Sequence, residues 1–371
     1  MLSTSSATLS RLGPAAAPLQ YPVGLTLCLA DDLTGALEAG SPFATAGATV
    51  RVLTNPLPDT TALDVLVLDT ETRHLEGAAA AARVSAFALP YIPFADRLIY
   101  KKTDSTARGN IGHELAALQQ LVPSREVLYV PAYPSIGRTV ASGHLLVNGT
   151  PIHHTEFGRD ALNPVRTSNL NEILHPAQGI ILDGATEDDV RAVAVRVMAN
   201  PARYLVAGPA AIARHLGALM ASSVTHRSSR DISVSVLSSL RLLVVNGSRH
   251  SASGTQMAYA RAAGCFRSGQ WTEFCLPGGD IALARAQAVG RQVSVILREN
   301  RFDGILVFGG DTAYGIFAAL GGQYLEPIAE VLPGVPVSRS DSGLLWITKA
   351  GGFGPEDLIA KLMRTSIPPH A

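Results

Sequence analysis

One pattern limits this fold more than any other feature. Short apolar, β-rich runs alternate with alanine-rich stretches of helical length along most of the chain. Leu25 to Leu29 reads as a strand and Gly35 to Ala46 as the helix after it. Val65 to Leu68 is followed by Ala78 to Ala88, and Leu98 to Lys101 by Ile111 to Leu121. Leu128 to Val130, Ile180 to Leu182 and Tyr204 to Val206 continue the series. A strand that repeatedly leads into a helix implies a mostly parallel sheet covered by helices on its faces.

The polar stretch His226 to Asp231 breaks the pattern and reads as a linker. Beyond it the alternation resumes. Leu242 to Val245 precedes a helix from Ser251 to Ala263, and a long helix spans Ala282 to Glu299. Ile305 to Phe308 precedes Thr312 to Leu320, and Leu344 to Thr348 is a late strand. The expected fold is therefore α/β with two domains. Each is a mostly parallel sheet flanked by helices, and the active-site cleft lies between them. The expected boundaries are a tail over 1–22, a first domain over 23–225, a linker over 226–240 and a second domain over 241–365. The first twenty residues are rich in Ser and Ala, carry Arg11 and no acid, and lack an apolar signal core. They read as a disordered tail rather than a targeting segment.

Composition removes several function classes. Lys plus Arg and Asp plus Glu are 30 each, so the net charge is zero and no broad attraction to nucleic acid or membrane is expected. An anionic ligand must be held by a local site. Three widely spaced cysteines, Cys28, Cys265 and Cys275, form no CxxC pair and read as reduced and buried, in keeping with a cytoplasmic protein. No apolar run is long enough to span a bilayer.

Parallel α/β sheets bind ligands at the carboxyl ends of their strands, so the strand-to-helix turns carry the functional information. After the first strand come Asp31 and Asp32, then Thr34 and Gly35 opening the helix. One carboxylate suffices as a helix cap. The second is available to accept hydroxyl hydrogen bonds, bind Mg2+ or act as a general base. The turn from Lys101 to Asn110 packs Lys102, Thr103, Asp104, Ser105 and Arg108 ahead of Gly109 and a helix start. Arginine grips carboxylate or phosphate bidentately, and helix N-termini favour anions. In the second domain, Ser248 follows Asn246-Gly247, and Gly309, Gly310, Asp311 and Thr312 follow another strand. Gly352 lies in Lys349-Ala350-Gly351-Gly352-Phe353-Gly354. Three small-residue turns in one domain favour a nucleotide, although each alone is a weak signal. GxxxxGK[ST], GxGxxG, GxSxG and HExxH are all absent. His153-His154-Thr155-Glu156 reads as a polar loop.

The order of these motifs resembles the four-carbon acid sugar kinases. The resemblance rests on ADDLTGA at Ala30 to Ala36, DTETRH at Asp69 to His74 and KKTDSTARGN at Lys101 to Asn110. PAYPSIGRTVASGHLLVNG at Pro131 to Gly149 and DGATEDDV at Asp183 to Val190 extend it. NGSRHSASGTQ at Asn246 to Gln256, FGGDTA at Phe308 to Ala313 and KAGGFG at Lys349 to Gly354 complete it. One departure is Arg249-His250, where smaller residues are expected.

The resemblance implies ATP-dependent phosphorylation, with Mg2+, of an acid such as threonate, erythronate or 3-oxo-tetronate. It assigns the acid to the first domain and ATP to Ser248, Gly309 to Thr312 and Gly352. Substrate contacts are expected from Asp31, Arg73, Thr103, Ser105, Arg108 and Arg138. The acid's carboxylate falls to Arg108 or Arg73, and its hydroxyls to Asp32 and Asp104. Asp32 is the expected base, and Lys102 and Arg138 offset phosphoryl charge. Closure about the linker would exclude water. The expected partners are a small sugar acid and ATP, with a homodimer left open and neither nucleic acid nor membrane. A nucleotide or sugar-acid sensor and a sugar-phosphate hydrolase remain the alternatives.

Overall fold

The computed structural model describes residues 24–56, 62–160, 162–221, 237–274 and 282–365. The expected tail and most of the expected linker lie outside them. The first half runs β1 (Thr26–Ala30), α1 (Leu33–Thr45), β2 (Val50–Leu53), β3 (Val65–Asp69), α2 (Gly77–Ala88), β4 (Leu98–Lys102), α3 (Ile111–Leu121) and β5 (Glu126–Tyr129). It continues with β6 (Arg138–Ala141), β7 (His144–Val147), β8 (Thr150–Pro151), α4 (Leu170–Leu174), β9 (Ile180–Ile181), α5 (Glu187–Ala199), β10 (Tyr204–Gly208) and α6 (Ala210–Met220). The second half runs β11 (Leu242–Asn246), α7 (Ser251–Ala262), β12 (Trp271–Phe274), α8 (Ala282–Glu299), β13 (Gly304–Phe308) and α9 (Gly310–Leu320). It closes with β14 (Tyr324–Leu332), β15 (Val335–Ser340), β16 (Leu345–Lys349) and α10 (Leu358–Met363).

The α/β expectation holds, with most strands parallel and helices packed on the sheet. Among the described residues thirteen of the sixteen strands join into one sheet, in the order β12-β11-β13-β16-β15-β14-β2-β3-β1-β4-β10-β5-β9, and β6, β7 and β8 form a separate antiparallel sheet. The first half contributes a wholly parallel block from β2 to β9. The second contributes a parallel block from β12 to β16, ending in the antiparallel β14–β15 hairpin. The blocks meet where β14 pairs antiparallel with β2, Tyr324 opposite Leu53 and Leu325 opposite Val52. Arg51 reinforces the seam with an ion pair to Glu326 at 2.8 Å and a guanidinium 4.0 Å above the Tyr324 ring.

The strand order sets where a ligand can bind. In the first half β1 connects leftward to β2 while its neighbour β4 connects rightward to β5, so the chain reverses direction between them. In the second half β11 connects leftward to β12, and its neighbour β13 leads rightward towards β16. Such switch points open a crevice at the carboxyl ends of the strands. The molecule therefore has two crevices, bordered by the Asp31-Asp32 and Thr103–Asn110 turns and by the Gly247-Ser248 and Gly309-Gly310 turns.

Helix α1 ties the halves together. Every residue from Leu33 to Ala44 is buried, and the helix packs on α6 within its own half and on β14, β15 and α9 of the other. A helix that is apolar all round needs neighbours all round. The main core accordingly draws residues from both halves, from Leu27 and Phe43 to Val307, Phe317 and Trp346. A second core lies wholly in the second half, around Trp271, Phe308 and Ile347. Cys28 and Cys265 are free and buried, and burial pushes the Cys28 thiol up to about 12. Among the described residues no helix is long and apolar enough to cross a membrane.

β4 ends in two lysines that point opposite ways, as the two-residue period of a strand requires. Lys101 is fully buried and pairs with Glu114 of α3 at 2.8 Å, while Lys102 faces the crevice. Removing one partner of a buried ion pair strands the other charge. Glu114→Ala should therefore cost about 3–5 kcal/mol in denaturant unfolding. The double change Lys101→Met with Glu114→Leu should recover most of that loss, because no buried charge is left.

Candidate active site

The first crevice is organised by one arginine. Arg73, four residues beyond β3, donates Nε to Asp31 at 2.7 Å and Nη2 to its other oxygen at 3.0 Å. Its Nη1 and Nη2 both reach Asp32 at 2.8 Å. Burial opposes the charge of Asp31, yet the Arg73 guanidinium and the Lys101 ammonium outweigh it and hold that carboxyl below its ordinary value. Asp32 also caps α1, accepting from the Gly35 N–H at 2.9 Å. Behind the clamp lie two more acids. Burial, with the neighbouring Asp32 charge, pushes Asp69 up to about 8. Burial and Asp69 push Glu71 well up. Glu71 sits at φ 46°, a strained backbone for a non-glycine residue. There it accepts from Leu33 N–H, in the first turn of α1, at 3.1 Å.

Asp104 is held as firmly as Asp31. Arg108 grips it bidentately at 2.8 and 2.9 Å, and the Thr106 hydroxyl and the N–H groups of Thr106 and Arg108 donate to it as well. Burial opposes its charge, but Arg108 and Arg73 hold it well below the usual carboxylate range. Lys102 faces Glu38 at 3.3 Å and donates to the Thr103 carbonyl at 3.1 Å. Arg138, delivered by the β6–β7–β8 hairpin, differs from the other arginines here. Its guanidinium lies 5.6 Å above the Phe157 ring, and its buried Nε has no hydrogen-bond partner. It makes no ion pair among the described residues.

In the second crevice the ends of β11, β13 and β16 lie in register, with Asn246 opposite Phe308 and Phe308 opposite Lys349. Their three turns therefore stack at one level. Gly309 has φ 104°, a conformation that favours glycine, and turns the chain into α9. Gly310 begins that helix so close to the first crevice that a Cβ there would lie 2.5 Å from Asp32 Oδ2. His250 answers the departure noted in the sequence. Its Nδ1 accepts from Ala252 N–H to cap α7, and its Nε2 meets Glu156 at 3.1 Å. That tautomer leaves Nε2 to donate.

The crevices are two walls of one cavity of about 730 Å³, within the usual size range of small-molecule sites. Asp32, Lys102, Asp104, Arg73, Ser105, Arg108 and Arg138 line one side, and Ser248, Gly309 through Thr312 and Gly352 line the other. Asp31 and Thr103 do not line it; they are buried behind the wall. Glu38, Asp160, Asn163 and Arg285 also line it, although nothing in the sequence singled them out. Glu38 and Arg285 sit inside helical patterns, where a lone charge reads as surface.

The comparisons agree with this division. A family model described as a sugar-binding N-terminal domain matches residues 26–179. One described as a nucleotide-binding C-terminal domain matches 280–359. A D-threonate kinase of Salmonella typhimurium is 26% identical over 90% of this chain and 96% of its own length. A 3-oxo-tetronate kinase of Pseudomonas savastanoi is 25% identical over 91% and 96%. The chain is thus similar to four-carbon acid sugar kinases over about nine-tenths of its length. A solved protein of Salmonella typhimurium LT2 has the same fold at TM-score 0.71 and 20% identity, covering 92% of this chain and 98% of that one. The two matched regions supply most of the two walls of the cavity, while Gly247 to His250 of the second wall lie outside both.

Besides His250–Glu156, a second contact spans the walls. His74 Nε2 meets Asp311 at 2.9 Å, and its Nδ1 meets Asn163 at 2.7 Å. The hydrogen bond that His74 donates to Asp311 raises the His74 pKa against partial burial, and burial of Asp311 is outweighed by His74, so its pKa falls. A raised histidine stabilises the fold fully below its ordinary value and loses that contribution as pH rises through the folded one. A lowered carboxyl stabilises above its ordinary value. The pair thus contributes most between the two ordinary values, about 3.9 and 6.5. Asp311→Asn should lower the thermal midpoint at pH 5.5, and the difference from wild type should shrink above pH 8. A difference independent of pH would remove this contact as its cause.

Proposed function

We propose that the chain is an ATP-dependent kinase that phosphorylates a hydroxyl of a small four-carbon sugar acid such as threonate, erythronate or 3-oxo-tetronate. One observation carries the reading. The Asp32 carboxylate, on the wall matched as sugar-binding, abuts Gly310 at the N-terminus of α9 on the opposite wall. A phosphate drawn to that helix N-terminus therefore lies beside a carboxylate able to accept a proton.

Phosphoryl transfer needs positioning and charge neutralisation more than covalent chemistry from the protein. ATP lies over the turns at Ser248, Gly309–Thr312 and Gly352. The carboxylate of the acid pairs with Arg138, a cation of the sugar-side wall that makes no ion pair among the described residues. Arg73 and Arg108 act through the acids they already hold, fixing Asp31, Asp32 and Asp104 in place. Ser105 donates to an oxygen of the acid. The attacking hydroxyl gives its proton to Asp32 as its oxygen bonds to the γ-phosphorus and the bond to the β-phosphate oxygen breaks. Lys102 offsets charge on the transferring group.

The described residues hold no cluster of three or more metal-ligating side chains. That fits Mg2+ carried on the nucleotide, which needs only one or two carboxylates. Asp311, at the first turn of α9, would hold it, and the ion would neutralise phosphate charge.

The test is ADP release over D- and L-threonate, D- and L-erythronate and their 3-oxo forms. Turnover with one acid, and no phosphate release without it, is the expected result. Phosphate release that needs no acid would favour a hydrolase. Silence with every acid while ATP binds would favour a sensor. Asp32→Asn should reduce turnover roughly 10²–10⁴-fold, the usual contribution of a general base, while ATP binding in calorimetry stays near wild type. Near-normal turnover would remove Asp32 from the base role.

A further inference from the structure

Lys349, the last residue of β16, is fully buried although it belongs to the residue type least often found inside a protein. It forms no ion pair with a carboxylate among the described residues. Its ammonium is surrounded by neutral oxygens instead. It donates to the carbonyls of Ala350 at 3.0 Å, Gly351 at 2.9 Å and Phe353 at 3.0 Å, and to the Ser253 hydroxyl at 3.2 Å. The ring of Phe308 lies 4.7 Å away. Two residues of α7 gather more of the same carbonyls. Ser253 donates to Gly351, and the Gln256 amide donates to Phe353, Gly354 and Pro355.

The geometry of the peptide bond turns this into a statement about the cavity. In a trans peptide the C=O and the following N–H point in opposite directions. Drawing the carbonyls of Ala350 and Gly351 inward to Lys349 aims the N–H groups of Gly351 and Gly352 outward. Neither N–H has an acceptor among the described backbone groups, and both residues line the cavity. A side chain at either position would collide with the neighbouring turn. A Cβ on Gly351 would lie 2.1 Å from Ser248 Oγ, and one on Gly352 3.0 Å from the His250 ring. The turn is thus a pair of free N–H donors backed by a buried lysine that no carboxylate among the described residues neutralises; burial pushes its pKa down to about 7, so its positive charge is fullest below neutral pH.

We propose that Lys349 is a positioning residue for the phosphates of the nucleotide. It fixes residues 350–353 with two N–H donors facing the cavity and, when protonated, adds a positive charge behind them. The inference rests on the nucleotide reading above, and binding experiments on the full-length protein separate the two.

Calorimetric titration of wild type, Lys349→Met and Lys349→Gln with ATP, ADP and adenosine tests it. Glutamine keeps two N–H donors without the charge and carries the test should the methionine variant fail to fold. A buried charge aimed at phosphates should matter only when phosphates are present. ATP and ADP should bind roughly tenfold or more weakly to the variants while adenosine changes less than about twofold. In turnover, KM for ATP should rise while KM for the acid stays unchanged. Unchanged ATP affinity, or an equal loss for adenosine, overturns the proposal. A wild-type protein that binds neither ATP nor ADP overturns the nucleotide reading itself, and this inference with it.

Discussion

The site depends on the hold that Arg73 keeps on Asp31 and Asp32. Two adjacent carboxylates at the buried end of a strand repel each other and lose their water, a combination that normally forces protonation. One guanidinium, presenting its donors to both, removes the conflict. Its consequences reach outward. Asp32, held by the clamp, caps α1, and α1 is the buried helix on which both halves of the protein pack. Asp69 and Glu71, beside the clamp, have their carboxyl pKa values pushed up by burial and by the neighbouring acids. A single side chain thus links the electrostatics of the cavity to the packing of the core.

The same logic recurs with different chemistry at each turn. Arg108 saturates Asp104, Glu38 balances Lys102, and Lys349 is satisfied by carbonyls alone. Charges brought out of water are kept only when each has partners. Groups left short of a partner are therefore informative. Arg138, with a buried Nε that bonds to nothing, is the clearest of them on the wall matched as sugar-binding.

Much of this was legible in the sequence. Apolar runs followed by alanine-rich segments located β1, β3, β4, β11 and β13 to within a residue or two, and looking just past each strand found most of the cavity wall. β2 was missed because it has four residues and carries Arg51. β14 and β15 were missed because Pro327, Pro336 and charged residues interrupt the apolar pattern. α5 was missed although Thr186 and Asp189 form a capping box that announces it. The pairing of charges was hidden for a different reason. Arg73 is about forty positions from its acids and Arg214 is 116 from Glu330, and no local pattern reports such distant contacts. Read from the sequence, the acid's carboxylate falls to Arg108 or Arg73 and phosphoryl charge to Arg138; only the fold shows that Arg73 and Arg108 are already paired with acids while Arg138 is not.

The seam between β14 and β2 alters what opening and closing can mean for this molecule. Two blocks joined only by a flexible connection swing like leaves on a hinge. Here a ladder of backbone hydrogen bonds runs across the junction, and α1 is wedged beneath it. The two walls of the cavity are thus set by a single twisted surface, and their separation is a property of its curvature.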